Sequence, residues 1–131
     1  MNFATINELK TNPTLHWIYD KAKQESRFTD STVIFAVDDT IYCDSVLPVQ
    51  LISHEATHLT QQQAMGYKKW WEKYFSDVEF KYTQELEAHI NEYKALGSRQ
   101  ARRAGIKTIV DRMNSPLYRF TKKTTKEDIM V

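Results

Sequence analysis

The amino-acid sequence predicts an α+β fold that is mostly helical and has a small β-sheet near its middle. Most of the chain places apolar residues at helical spacing between capping and chain-breaking residues. A short stretch, 32–43, is instead rich in β-branched and aromatic residues, which favour strands. The 131 residues are 41% hydrophobic and include seven Tyr, six Phe and three Trp, enough for one core. We therefore expect a single domain over residues 1–131.

The N-terminal half is expected to supply one helix and a β-hairpin. A capping asparagine followed by a first-turn proline predicts a helix over 11–26. Two short strands, 32–37 and 40–43, flank the acidic pair Asp38-Asp39, and this pattern predicts a tight hairpin. A two-stranded ribbon is marginal alone, so we expect a helix to cover it.

The C-terminal half is expected to be helical. Pro48 opens a helix predicted over 48–65, and Gly66 ends it. The helices that follow are predicted over 69–74 and 77–104. One further helical or mixed segment is expected after Gly105, and the polar tail, 121–131, is expected to be frayed.

The charge and the cysteine content indicate which partners and which cellular compartment to expect. The formal net charge is +1, so bulk charge indicates no particular partner. The single cysteine, Cys43, excludes an intrachain disulfide and fits a reducing compartment. The first ten residues lack the pattern of a signal peptide, and no apolar run is long enough to span a bilayer. We therefore expect a cytoplasmic protein with no membrane partner.

The sequence His54-Glu55-Ala56-Thr57-His58 is an HExxH motif within the helix predicted over 48–65. Residues four apart lie above one another on one helix face, so both imidazoles can reach one metal ion. Glu55 is offset by one residue, and its carboxylate can approach a metal-activated water without being a ligand. The alternative is two surface histidines on an ordinary amphipathic helix. Apolar neighbours argue against that alternative: Leu51, Ile52 and Leu59.

A catalytic zinc site needs three protein ligands, and the next long helix offers candidates for the third. Glu85 and His89 share one face of that helix, whereas Glu87 points about 160° away, so we do not expect the two glutamates to serve the same site. The chain can turn at Gly66 and bring this helix back antiparallel to the motif helix. His16 lies in the first helix and is expected to have a packing or surface role.

These residues resemble the gluzincins, zinc peptidases with an HExxH motif and a glutamate on the following helix. The resemblance covers roughly residues 32–96 and is strongest to the minimal metallopeptidase domains of phages, prophages and bacteria. It implies a Zn²⁺ ion held by His54, His58 and Glu85, with Glu55 as the general base. It places His89 where related enzymes carry a side chain that orients the ligands. An alignment moved by two residues makes Glu87 the third ligand instead.

The resemblance also implies a zincin-like fold and a peptide or protein substrate. The expected core is a backing helix, a short sheet, the motif helix and the glutamate helix. A sheet edge above the metal would pair with an extended substrate, as in strand addition. The strand 40–43 is our candidate for this edge, and the alternative is an ordinary hairpin strand.

Zincins commonly use a tyrosine or histidine to stabilise the oxyanion that forms in peptide hydrolysis. Tyr82 precedes Glu85 by three residues and therefore lies on the same helix face. It is our candidate from the sequence, ahead of Tyr67 and Tyr93. The alternative for Tyr82 is a role in packing.

Two further features have alternative interpretations. An aromatic cluster follows the motif helix and is expected either to pack between elements or to face the substrate: Trp70, Trp71, Tyr74 and Phe75.

The region 98–126 is strongly basic, which suggests a solvated face or phosphate contacts with nucleic acid. The residues expected to make such contacts are Arg99, Arg102, Arg103 and Lys107. The alternatives to a peptidase are thus a non-catalytic zincin-like binding or regulatory module and a nucleic-acid-associated protein.

Overall fold

The computed structural model describes all 131 residues and contains seven helices and one three-stranded sheet. The α+β architecture, mostly helical with a small sheet, confirms the fold class at that level. The elements in chain order are β1 (Asn2–Ala4), α1 (Ile6–Lys10), α2 (His16–Glu25), β2 (Phe35–Val37), β3 (Thr40–Tyr42), α3 (Val49–Gln63), α4 (Tyr67–Ser76), α5 (Val78–Lys94), α6 (Arg99–Met113) and α7 (Lys126–Ile129). No helix combines the length and the apolar character that crossing a membrane requires.

The sheet contains the predicted hairpin and one strand that the sequence did not reveal. Strands β2 and β3 are antiparallel around Asp38, which has a left-handed φ of 60° that aspartate tolerates in turns. Strand β1 pairs in parallel with β3, so the strand order is β1-β3-β2. The prediction that 40–43 is a free sheet edge is therefore wrong, because β3 is the central strand and its two sides are both paired.

Helix α3 agrees closely with its predicted extent. It begins after Pro48, which is its N-cap residue. It ends before Gly66, whose φ of 85° is the left-handed conformation that glycine adopts without strain. Buried Gln62 fixes the helix to the hairpin, since its side chain donates to the Ala36 carbonyl at 2.7 Å and accepts from the Asp38 amide at 2.8 Å.

The single long helix predicted over 77–104 is wrong, because the chain breaks between α5 and α6. Ser98 is the N-cap of α6, and its hydroxyl accepts a hydrogen bond from the Ala101 amide at 3.0 Å. Helix α6 then continues through Gly105. A Cβ atom at Gly105 would lie 2.9 Å from a methyl carbon of Leu96, so the glycine allows the inter-helix turn to pack closely against α6.

The tail 121–131, which is expected to be frayed, makes specific contacts with the rest of the protein. Thr125 forms a capping box with Asp128 at the start of α7. Thr124 is buried, and its backbone exchanges two hydrogen bonds of 2.8 Å with the side chain of Asn114. Ile129 is completely buried. The polar tail is therefore held by a cap, a side-chain clamp and one apolar anchor.

The main apolar core lies between the sheet, α1, α2 and α4. Its buried members are Ile6, Leu9, Ile18, Tyr19, Phe35, Val37, Tyr42, Trp70 and Trp71. The interface between α3 and α5 is different, because most of its buried side chains are polar. Burying so many ionisable groups is costly unless they are paired or bind a metal. The interface between α3 and α5 is therefore the candidate functional site.

Candidate metal centre

Helices α3 and α5 pack antiparallel and are joined by side-chain hydrogen bonds along their length. At one end, Ser53 donates to the Asn91 carbonyl, and Asn91 donates to the Thr57 hydroxyl at 2.9 Å. At the other end, Gln61 donates to the Gln84 carbonyl at 3.0 Å. These contacts fix the register in which the HExxH face of α3 lies opposite the Glu85 face of α5.

The three predicted zinc ligands converge at this interface. Oε1 of Glu85 lies 3.2 Å from Nε2 of His54 and 3.2 Å from Nε2 of His58. The three residues are all buried, and one donor atom from each lies within 4.8 Å of the others. In a tetrahedral zinc site with bonds of about 2.1 Å, donor atoms lie about 3.4 Å apart. The donor set and its spacing therefore fit a metal ion of this kind.

The outer nitrogens of both imidazoles are already bound by the protein. Nδ1 of His54 donates to a carboxylate oxygen of Glu92 at 2.9 Å, and Nδ1 of His58 donates to the side-chain carbonyl of Gln61 at 2.9 Å. These bonds occupy Nδ1 of each ring and leave Nε2 directed to Glu85, where it can bind a metal ion once its proton is lost. Such partners orient metal-binding histidines and strengthen them as ligands.

Glu92 is a functional candidate that the sequence interpretation missed. It is 2% exposed, and its second oxygen accepts a hydrogen bond from Arg112 of α6. A signal was available, since Glu92 follows Glu85 by seven residues and therefore lies on the same face of α5. No comparable signal identifies Arg112, because its position depends on how α6 packs against α5.

In the metal-free protein, protons are shared among the ligand side chains. Burial disfavours the imidazolium form of His54, but hydrogen bonds with Glu85 and Glu92 outweigh burial and raise its pKa to about 10. For His58, burial is likewise outweighed by the Glu85 charge, which raises the pKa. Burial opposes ionisation of Glu85, yet the two imidazoles hold its pKa well below the usual range. Glu85 is therefore ionised, and its negative charge favours a cation at the centre of the site.

Glu55 lies beside the ligands without joining them. Its Oε2 atom is 3.9 Å from Nε2 of His54, and its side chain lines the same cavity as the three ligands. Burial raises the pKa of its carboxyl, although the two imidazoles act in the opposite direction. A glutamate with a raised pKa next to a metal site has the position and basicity that a general base needs.

The tyrosines near the site are Tyr74 and Tyr118, and Tyr82 is not among them. The Tyr82 hydroxyl lies 3.1 Å from the Thr124 hydroxyl, and its ring packs against Phe120, so the structure places Tyr82 outside the cavity that contains the ligands and does not support its expected role at the oxyanion. Although Tyr82 is near the Glu85 face in the helical repeat, its long side chain is directed to the C-terminal segment.

Tyr74 and Tyr118 both line the cavity that contains the ligands. The Tyr74 hydroxyl donates to Oε2 of Glu85 at 2.5 Å, so it fixes the oxygen that does not face the histidines. The Tyr118 hydroxyl makes no hydrogen bond within the protein. Burial, together with the charges of Glu85 and Glu55, raises the pKa of Tyr118 well above its usual value, which keeps the phenol protonated and able to donate.

His89 lies against the ligand cluster, as the resemblance predicts, but its contacts differ from those of an acidic residue. Its Nδ1 donates to the backbone carbonyl of Glu85 at 2.7 Å, and its ring packs edge to face on His54 with centroids 4.6 Å apart. Burial lowers the pKa of His89 to about 4, so the ring is neutral. Its Nε2 is the one buried side-chain polar atom without a hydrogen-bond partner.

Two other candidates lie away from the ligand cluster. Glu87 is exposed and accepts a hydrogen bond from Gln61 at 2.7 Å, so the alternative in which it replaces Glu85 is wrong. His16 is exposed and forms an i, i+4 pair with Asp20 at 2.9 Å, as expected for a surface histidine. The structure therefore brings Glu85, and not Glu87, to His54 and His58; a second group of possible ligands, formed by His54, His89 and Glu92, lies beside it.

The site opens into a cleft. A cavity of about 210 Å³ contains the ligands and adjoins a wider cavity of about 510 Å³, which shares His54, Glu55 and Tyr118 with it. The aromatic cluster divides at this point: Trp70 is in the core, whereas Tyr74 and Phe75 line the wide cavity. The expected packing role is thus seen for Trp70, whereas a substrate-facing role of Tyr74 and Phe75 stays a prediction.

The basic residues proposed to contact nucleic acid lie on α6. Arg102 donates to the Leu96 carbonyl at 3.0 Å, and Lys107 pairs with Asp111 at 2.6 Å. Arg99 and Arg103 are exposed. Binding of nucleic acid by this face stays a prediction from the sequence.

Comparisons of the chain with protein-family models, with curated proteins and with solved structures give no significant match.

Proposed function

We propose that the protein is a zinc-dependent peptidase of the gluzincin type with a zincin-like fold. The observation that supports this most is the convergence of His54, His58 and Glu85 on one point, with Glu55 of the same HExxH motif beside it. The resemblance of the motif to gluzincins adds to this argument. A bound cation would also explain why so many ionisable side chains are buried between α3 and α5, because it would offset the cost of their burial.

Zinc is the metal that best matches these donors. Two neutral imidazole nitrogens and one carboxylate oxygen form a donor set typical of catalytic zinc, and three protein ligands leave a position for water and substrate. When bound in such a site, zinc polarises a carbonyl group and lowers the pKa of a coordinated water to about 7.

Glu55 has the role of moving the proton. Its carboxylate takes a proton from the attacking water and delivers it to the amine that leaves when the peptide bond breaks. Burial supports this role, because it raises the pKa of the glutamate and so makes its carboxylate a better proton acceptor.

Tyr118 is the candidate that stabilises the developing negative charge. Its free, protonated hydroxyl faces the cavity shared with Glu55 and Glu85, where it can donate a hydrogen bond to the carbonyl oxygen under attack. Tyr74 is already bound to Glu85 and has the separate role of holding that carboxylate in place.

An extended substrate would lie along β2 rather than β3. Strand β2 is at the edge of the sheet beside α3, and the neighbouring Ile34 lines the cavity with the ligands. The Ala36 carbonyl is already bound by Gln62 and by the indole nitrogen of Trp71. Backbone pairing with the substrate would therefore use the start of β2, near Ile34.

The experiment that tests the function is peptide hydrolysis by the zinc-loaded protein. A mixture of defined peptides is incubated with the parent, with Glu55→Gln and with chelator-treated parent, and new termini are identified by mass spectrometry. We expect cleavage by the parent and, in Glu55→Gln, a loss of at least about 100-fold at unchanged zinc content. Cleavage that survives both the substitution and metal removal would contradict the proposal.

A further inference from the structure

The wide cavity beside the metal centre contains one half-buried cation without an ion-pair partner, Lys81; Arg27 also lines the cavity without an ion pair, but it is exposed. Lys81 of α5 lines this cavity together with His54 and Glu55. It takes part in none of the ion pairs of the protein and in none of its side-chain hydrogen bonds. Arg112, which also lines the cavity, differs in this respect because it is paired with Glu92.

The surroundings of the Lys81 ammonium are aromatic. Its nitrogen lies 5.1 Å from the ring centre of Tyr74, 5.5 Å from that of Tyr118 and 5.9 Å from that of Phe120. Aromatic faces stabilise a cation, but they do not replace the water and the counter-ion that burial removes. Burial indeed lowers the pKa of this lysine. An anion that enters the cavity would therefore find a partly desolvated charge in a fixed place.

Tyr74 lies between this cation and the metal centre and contacts both. Tyr74 contacts the Lys81 ammonium with its ring and Glu85 with its hydroxyl. This places the ammonium within roughly 10 Å of the Glu85 carboxylate, a distance that three residues of extended peptide span. A group bound at Lys81 would thus belong to a residue close to the bond that is cleaved.

The rest of the cavity is mainly apolar. Eleven of its 20 lining residues are hydrophobic, and the aromatic members include Phe28 and Phe75. A cavity of about 510 Å³ holds a large apolar side chain with its adjoining backbone. The cavity combines space for such a side chain with the half-buried charge of Lys81 near the site of cleavage.

We propose that Lys81 binds a carboxylate of the peptide substrate, within three residues of the cleaved bond, and that the cavity holds the neighbouring apolar side chain. This proposal rests on the peptidase function and specifies its substrate class. The carboxylate comes either from the C-terminus of the peptide or from an acidic side chain. In the first case the enzyme removes residues from peptide ends, and in the second it cleaves within chains beside acidic residues.

The test measures binding of two matched pairs of small peptides by NMR titration. N-acetyl-phenylalanine is compared with its amide, and N-acetyl-Phe-Glu-amide is compared with N-acetyl-Phe-Gln-amide. Zinc-loaded Glu55→Gln protein is used so that the peptides stay intact. We expect at least one acidic member to bind about tenfold more tightly than its neutral match, because a charge-assisted hydrogen bond is gained. The pair that shows the preference identifies the source of the carboxylate.

Variants of two lysines assign the preference to its residue. Lys81→Met should abolish it, and Lys81→Arg should retain it because the charge is kept. Lys122→Met is the matched control, since the Lys122 ammonium also lies over a tyrosine ring, 5.3 Å from the centre of Tyr82, but does not line the cavity. Equal binding within both pairs, or a preference that survives Lys81→Met, would overturn the proposal.

The two proposals can fail separately. A carboxylate preference without any peptide cleavage would support the Lys81 site and contradict the peptidase function. Cleavage without the preference would support the peptidase function and contradict the Lys81 site.

Discussion

Glu92 and His54 are joined by a hydrogen bond of 2.9 Å from the imidazole Nδ1 to the carboxylate, and Arg112 binds the other carboxylate oxygen. Three helices therefore contribute to the orientation of one proposed metal ligand: His54 from α3, Glu92 from α5 and Arg112 from α6. The arrangement links the proposed metal centre to α6 in the C-terminal part of the chain.

Replacing Glu92 should weaken zinc binding although Glu92 is not itself a ligand. In Glu92→Gln the charge that strengthens the His54 imidazole is lost, and we expect the zinc dissociation constant to rise about tenfold or more. Competition with a chromogenic chelator measures this constant. Glu79→Gln, an exposed position on the same helix, is the control and should bind zinc like the parent. An unchanged constant in Glu92→Gln would show that the hydrogen bond does not support the ligand.

Tyr118 and Tyr82 should differ sharply in their effect on catalysis. Loss of one oxyanion donor costs about 100-fold or more in kcat, so Tyr118→Phe should lower kcat by this amount with little change in KM. Tyr82→Phe removes only the contact with Thr124 and should leave kcat near that of the parent. Steady-state kinetics on one cleaved peptide measures both. The reverse order of effects would restore Tyr82 as the oxyanion donor.

The C-terminal tail should contribute to stability. Ile129 is completely buried, so Ile129→Ala should lower the free energy of unfolding by about 2–4 kcal/mol, the usual cost of removing a buried isoleucine side chain. Urea unfolding followed by circular dichroism measures the change. Met130→Ala is the neighbouring control, because Met130 is 51% exposed and should tolerate the substitution. Equal stability of the two variants would indicate a frayed tail, as the sequence alone suggests.

Local signals in the sequence explain which parts of the fold could be predicted. Helix α3 has a proline at its start and a glycine at its end, and the HExxH spacing fixes which face carries the ligands. The hairpin is likewise marked by its acidic turn. Each of these features depends on neighbouring residues, so one sequence is enough to find it.

Other features depend on contacts between distant segments and were missed for that reason. Strand β1 has only three residues and exists through its pairing with β3. Tyr118 reaches the cavity from the segment after α6, and nothing near Glu85 in the sequence indicates it. The break before α6 is a different case, because Gly97 followed by the capping Ser98 was a local signal that the helical pattern around it concealed.

The zinc content of the purified protein, measured by elemental analysis after incubation with zinc and removal of the excess, tests the central claim most directly. It is compared among the parent, Glu85→Ala and Glu87→Ala, because the two glutamates are on the same helix and only Glu85 faces the histidines. We expect about one zinc per chain in the parent and in Glu87→Ala, and none retained in Glu85→Ala. A parent without zinc, or zinc lost in Glu87→Ala and kept in Glu85→Ala, would contradict the account.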